Sequence, residues 1–192
     1  MKLNPKEIIR PAVMLTVICL VVTALLAGTN LLTKDQIERQ KQEAARTSRE
    51  LVLPGVTEFE EAKTTGAEGE EVSYYIGKNG GEIAGYVFTT TASSYGGQIQ
   101  VMTGIQADGA VTGVELLSIN DTPGLGMNAQ KEDFRAQYHQ AIPESGQFSV
   151  IKSGDQQDGE IMAMTGATIT SQGVTDAVNS AIALYQTVKG GA

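Results

Sequence analysis

The sequence predicts an α+β domain, an antiparallel sheet with helices packed on it, preceded by one transmembrane helix and a helical stalk. Three observations lead there. An uncharged apolar stretch lies near the N-terminus, the dipeptides Asn79-Gly80 and Asp108-Gly109 punctuate a region rich in strand formers, and apolar residues recur at helical spacing near the C-terminus. Strands in succession with helices gathered to one side are the mark of that class.

Ala12 to Leu32 reads AVMLTVICLVVTALLAGTNLL, without a charge. A helix of about 20 such residues spans the hydrocarbon core and satisfies its own backbone there. Pro11 suits a first helical turn. The apolar core of a cleaved signal peptide is usually shorter, and no lipobox cysteine follows Ala27. The segment is therefore read as an uncleaved anchor over 11–32, after a short N-terminal stretch at 1–10. Lys2, Lys6 and Arg10 precede the span, and Lys34, Arg39, Lys41, Arg46 and Arg49 follow it. By the positive-inside rule this distribution leans against an extracytoplasmic C-terminal domain.

Thr33 to Glu50, TKDQIERQKQEAARTSRE, has no Gly or Pro and sets opposite charges three or four residues apart, as in Arg39 with Glu43 and Arg46 with Glu50. Such a segment forms a solvated helix. It is read as a stalk over 33–54, ended by Pro54-Gly55. The remaining domain, 55–192, opens with an acidic segment, Glu58 to Glu71, interrupted by Gly66 and Gly69 and read as loop.

Val72–Lys78 and Glu82–Thr91 make a hairpin across Asn79-Gly80, and Gln98–Ala107 and Ala110–Ile119 a second across Asp108-Gly109. At least four consecutive antiparallel strands follow. After the break Asp121–Gly126, Ala129–Gln140 reads as a helix ending before Pro143, and Phe148–Lys152 and Glu160–Ala163 as short strands about the turn Gly154–Gly159. Val174, Ala177, Val178, Ala181, Ile182, Tyr185 and Val188 then fall on one helical face, with Asp176, Asn179, Ser180 and Gln186 elsewhere. Thr170 or Ser171 is placed to cap this helix and Gly190-Gly191 to end it.

Composition excludes several function classes. From Leu51 onward 17 acidic residues stand against 6 basic ones, a balance of −11, which repels nucleic acid. The one cysteine, Cys19, lies in the apolar segment, so neither a disulfide within the chain nor a cysteine-ligated cluster can form. The single histidine, His139, is too little for a metal site or a triad. No metal site and no catalytic residues are expected, and any redox chemistry needs a bound organic cofactor.

Thr165-Gly166-Ala167-Thr168-Ile169-Thr170-Ser171 holds four hydroxyls within seven residues, between a short strand and the last helix. A glycine that frees the backbone to turn, followed by the unpaired N–H groups of a helix start, makes a phosphate site. No Gly-Lys-Ser/Thr ending is present, so this is not a Walker loop. Small residues and hydroxyls before a helix also serve simply as a cap.

Thr165-Gly166-Ala167-Thr168 resembles the Ser/Thr-Gly-Ala-Thr motif of the FMN-binding domain family. Asp121-Thr122-Pro123-Gly124-Leu125-Gly126 resembles that family's acidic-Thr-Pro-Gly-Leu-Gly loop, and Gly85-Tyr86-Val87-Phe88 with Ser94-Tyr95-Gly96-Gly97 its strand and glycine turn. The motif spacing and the single anchor are similar to the G-subunit family of Rnf electron-transport complexes. That family is related to the C subunit of the Na⁺-translocating NADH:quinone reductase.

The resemblance implies FMN joined covalently through its phosphate to Thr168, by a flavin transferase that uses FAD and magnesium. It implies cofactor contacts from Thr165, Gly166, Ala167, Thr170, Ser171, Thr122, Gly124, Leu125 and Tyr95. Tyr95 serves surface packing equally well, and Thr122 a turn. The chain would then be no enzyme alone. It would be an electron carrier among the other subunits of an ion-translocating ferredoxin:NAD complex, in the lipid bilayer, with a cytoplasmic N-terminus at 1–10 and its domain on the extracytoplasmic side. The quinone-reductase homologue, a non-redox anchored binding module and a purely structural role in assembly are the alternatives. One departure stands out: many family members have an aspartate three residues before the motif, where this chain has Met162.

Overall fold

The computed structural model describes residues 5–66 and 69–190; Lys2, residues 67 and 68 of the acidic segment, and Gly191 lie outside them. The chain divides into two compact units, Met1–Ala44 and Ala45–Ala192, so the division falls within the predicted stalk rather than at its end.

Helix α1, Pro5–Val52, is continuous through both the anchor and the stalk. Pro11 lies inside the described helix rather than in its first turn. The apolar part of α1 is long enough to cross a membrane, and its large side chains, Leu25 and Leu26 among them, are exposed along the span.

The second unit is built on a five-stranded antiparallel meander in the order β1-β2-β3-β4-β5. The strands are β1 Glu58–Thr65, β2 Glu71–Asn79, β3 Glu82–Ser94, β4 Gly97–Gln106 and β5 Val111–Ser118. Four of the five correspond to the predicted hairpins. The acidic segment read as loop instead supplies the edge strand β1, paired from Glu58 opposite Lys78 to Thr65 opposite Glu71. Its acids suit an edge strand because they point into solvent and discourage pairing with another sheet. Lys63 and Lys78 answer two charges, through ion pairs with Glu71 and Glu60.

The two faces of the sheet are covered differently. Tyr74, Phe88, Thr103 and Val114 lie in register on one face, which carries the larger core. Helix α3, Thr168–Gly190, covers it with the predicted apolar face, and Thr90 Oγ1 donates to the Ala177 carbonyl at 2.8 Å. All seven predicted residues of that face are buried, except Val188, which is half-buried.

On the other face, Tyr75, Val87, Gly104 and Gly113 form the corresponding row. Here the end of α1 comes down onto the sheet. Val52 and Leu53 are each 1% exposed, so this turn of helix is core rather than spacer. A Cβ on Gly104 would overlap the Val52 carbonyl, and one on Gly113 would lie 2.5 Å from Val52 Cα. The paired glycines thus form the seat of the helix end. Thr112 Oγ1 donates to the Val52 carbonyl at 2.6 Å, satisfying an acceptor that helix geometry leaves over.

Three further differences concern smaller elements. The helix expected over Ala129–Gln140 is broken into a 3₁₀ turn Gly126–Gln130, the short α2 Glu132–Arg135 and a 3₁₀ turn Ala136–Tyr138. Lys131 is extended there (φ −73°, ψ 143°), which ends one turn and starts the next. The short strands β6 Ser149–Ile151 and β7 Glu160–Met162 pair in parallel, so the chain between them is a crossover and not a hairpin. Thr170 and Ser171 do not cap α3 but lie within its first turn.

Candidate functional site

The segment from Met164 to Ser171 turns sharply between β7 and α3. Gly166 has φ +76°, a conformation that side-chain-bearing residues rarely adopt, and the Ala167 N–H donates to the Met164 carbonyl at 3.0 Å to close the turn. Ser171, fully buried, ties the turn from behind. Its Oγ accepts the Met164 N–H and donates to the Ala167 carbonyl, both at 3.0 Å. Thr168 is therefore delivered as the first residue of α3. The N–H groups of Thr168, Ile169 and Thr170 have no partner one turn back, as at any helix start.

In front of this helix start lies a recess of about 450 Å³, lined by Tyr95, Thr122, Leu125, Gly126 and the run Gly166 to Thr170. The structure thus brings together seven of the ten residues proposed from sequence: Tyr95, Thr122, Leu125, Gly166, Ala167, Thr168 and Thr170. The other three stand outside the lining. Thr165 is exposed on the turn, Gly124 accepts the Asn128 side-chain amide at 2.7 Å on its carbonyl, and Ser171 faces the core.

The four hydroxyls of the motif are not equivalent. Thr170 and Ser171 are buried and engaged, Thr170 Oγ1 donating to Asp121 Oδ2 at 2.5 Å. Thr165 is exposed and outside the recess. Among the described residues only Thr168 combines a half-buried position in the recess with a hydroxyl that makes no hydrogen bond.

Asp121, part of the loop motif but given no role by the sequence, organises the site. It is 4% exposed. Its Oδ2 accepts from Ser94 Oγ at 2.5 Å as well as from Thr170, and its Oδ1 accepts the Gly96 N–H at 2.6 Å. Burial pushes its pKa upward, but the donors from Ser94, Thr170 and Gly96 outweigh that and hold it below the ordinary aspartate value. Gly126 permits the close approach: a Cβ there would lie 2.6 Å from both Asp121 Cβ and Thr170 Oγ1. Ile169, 59% exposed, is a further addition that the motifs do not mark. It joins Tyr95 and Leu125 as a large apolar side chain at the recess.

This donor set fits FMN. Leftover N–H groups and a free hydroxyl at the start of α3 suit a phosphate, and Tyr95, Leu125 and Ile169 offer apolar surface to a flat ring. Among the described residues no group of acids, His or Cys is placed to hold a metal. Met162, at the position of the family's aspartate, is held in β7, its N–H donating to Gln137 Oε1 at 2.7 Å. Asp158 and Glu160, the nearest acids before the Thr165-Gly166 turn, do not line the recess.

Comparison with known proteins agrees with the geometry. Residues 94–183 match the family described as the FMN-binding domain, and residues 1–50 match the RnfG N-terminal region. The G subunit of the Na⁺-translocating ferredoxin:NAD⁺ oxidoreductase complex of Acetobacterium woodii is 36% identical, over 94% of this chain and 93% of its own length. The G subunit of the ion-translocating oxidoreductase complex of Methanosarcina acetivorans is 33% identical, over 93% of this chain and 95% of its own. The crystal structure of NqrC from Shewanella oneidensis shares the fold, with a TM-score of 0.57 at 16% identity over 74% of this chain and 72% of that one. The chain belongs to the G-subunit family of ion-translocating oxidoreductase complexes, as an FMN-binding electron-transport component.

Proposed function

We propose that this chain carries FMN as a phosphoester on Thr168 and relays electrons within a membrane-bound, ion-translocating ferredoxin:NAD oxidoreductase complex. The observation that carries the reading is the position of the Thr168 hydroxyl, free of hydrogen bonds, half-buried in the recess and at the first turn of α3. When bound, FMN supplies reversible one- or two-electron transfer, and the protein supplies position and electrostatics.

The chain's own residues divide that work. Thr168 is the attachment point, and the N–H groups that follow it hold the phosphate. Tyr95, Leu125 and Ile169 would offer apolar surface to the ring, and Thr122 and Thr170 complete the lining. A flavin transferase makes the bond: the Thr168 oxygen takes the FMN phosphate from FAD, whose pyrophosphate bond breaks to release AMP, with Ser171 holding the turn that presents the nucleophile. The anchor keeps the domain at the membrane beside the complex's other subunits. The family resemblance favours the extracytoplasmic side, where a covalent link retains a scarce cofactor.

The equivalent covalent-FMN component of a Na⁺-pumping NADH:quinone reductase is the second reading, favoured by the fold shared with NqrC. The identities of 36% and 33% to G-subunit proteins weigh more heavily. The test is the intact mass of the full chain, coexpressed with a flavin transferase, against Thr168→Ala. A wild type heavier by one FMN less one water, with an unmodified variant, supports the reading. A colourless, unmodified wild type leaves an anchored binding module.

A further inference from the structure

Among the described residues Asp121 has no cationic partner. It takes part in no ion pair among the described residues, and its charge rests on the hydroxyls of Ser94 and Thr170 and the N–H of Gly96. A buried carboxylate held only by neutral donors keeps its full negative charge in a medium that screens it poorly. Its partners come from two places, and its own loop makes a third segment: Ser94 and Gly96 lie at the turn from β3 to β4, and Thr170 in the first turn of α3. Two residues of the recess lining touch it directly. Thr170 does so by its hydrogen bond, and Gly126 by an approach so close that a Cβ would collide with Asp121 Cβ. The carboxylate therefore lies one layer behind the recess wall.

We propose that Asp121 is a positioning residue that joins the three segments of the recess and lowers the reduction potential of a flavin held there, by fixing a negative charge behind its wall. The inference rests on the FMN-carrier reading above. Electrons added to a ring beside a fixed anion meet repulsion, so the oxidised form is favoured and the bound flavin becomes a stronger reductant. The hydroxyl donors act in the opposite sense. They spread the carboxylate's charge, and removing one of them while keeping the carboxylate concentrates the charge again.

The experiment is a potentiometric titration of the flavin-loaded full chain in detergent micelles, comparing wild type with Asp121→Asn and Ser94→Ala. The expected result for Asp121→Asn is a positive shift of at least tenfold in the reduction equilibrium, about 30 mV for a two-electron couple. The expected result for Ser94→Ala is a shift in the opposite direction. An unchanged potential in Asp121→Asn overturns the proposal. So does a positive shift in both variants, which would mean that only the architecture matters. If Asp121→Asn takes up no flavin, Ser94→Ala and Thr170→Val decide by sign: a lower potential supports the proposal and a higher or equal one overturns it. A wild-type chain that takes up no flavin removes the carrier reading itself, whereas a loaded chain with the wrong shifts removes only the role of Asp121.

Discussion

Ser171 Oγ accepts the N–H of Met164 at 3.0 Å, joining the first turn of α3 to the chain seven residues earlier. The same hydroxyl donates to the Ala167 carbonyl, so one buried oxygen holds both ends of the Thr165-Gly166 turn. Ser171→Ala removes this tie without adding bulk. The expected loss of stability is about 1 kcal/mol, the usual net value of one hydrogen bond, which lowers the melting temperature by about 2–4 °C in a chain of this size. Transferase modification of Thr168 should slow by more than that small loss explains, because the turn that presents the hydroxyl is loosened. Time-resolved intact mass, with melting followed by tyrosine fluorescence, separates the two effects. A variant modified at the wild-type rate would mean that the turn is fixed by Gly166 and the Ala167-to-Met164 bond alone.

Much of this architecture is legible in the sequence, for identifiable reasons. Asn79-Gly80 and Asp108-Gly109 fix two hairpins because few other dipeptides accept those turns, and the face from Val174 to Val188 is periodic enough to mark α3. The edge strand β1 is hidden by its composition. Glu58, Glu60 and Glu61 sit on exposed positions, leaving only half-buried Phe59, Ala62 and Thr64 as an inward signal. The region after Gly126 lacks a helical face, and its path depends on tertiary contacts: Tyr138 is buried and bonded to Thr175, and Arg135 donates to the Val114 carbonyl. The family resemblance draws Thr168 and most of the recess lining from local motifs. Asp121 escapes it because its role exists only in three dimensions, its partners lying 25, 27 and 49 residues away.

The contact of Gly104 and Gly113 with Val52 makes a second test. Gly104→Val places a side chain where the Val52 backbone lies, and backbone cannot rotate aside as a flexible side chain can. Overpacking of this kind costs about 1–3 kcal/mol or more, and it should displace the buried end of α1 from the sheet. The expected signature is a lower melting temperature of the full chain in detergent, with faster proteolytic cleavage between Glu50 and Val56. Gly80→Ala is the control: a Cβ added at Gly80 would meet open space, so only its positive φ is at stake, and cleavage near Val52 should not change. Equal cleavage in wild type and Gly104→Val would mean that the helix end does not depend on the glycine seat.

Asp121 also sets an expectation for acid stability. Its pKa is held below the ordinary aspartate value of 3.8 in the folded chain, since the donors from Ser94, Thr170 and Gly96 outweigh the effect of burial. The unfolded chain therefore binds a proton at Asp121 more readily than the folded one does. The stabilisation is fully present above the unfolded value, declines as pH falls below it, and is gone once the folded value is passed. Melting temperatures measured from pH 7 down to about pH 3 should fall more steeply for wild type than for Asp121→Asn, which has no carboxylate to protonate. At neutral pH the variant is less stable by about 2 kcal/mol, the typical worth of hydrogen bonds to a buried charge. The two curves should converge toward acid. Parallel curves would mean that Asp121 titrates alike in the folded and unfolded chains, and that its three donors do not favour the charged form.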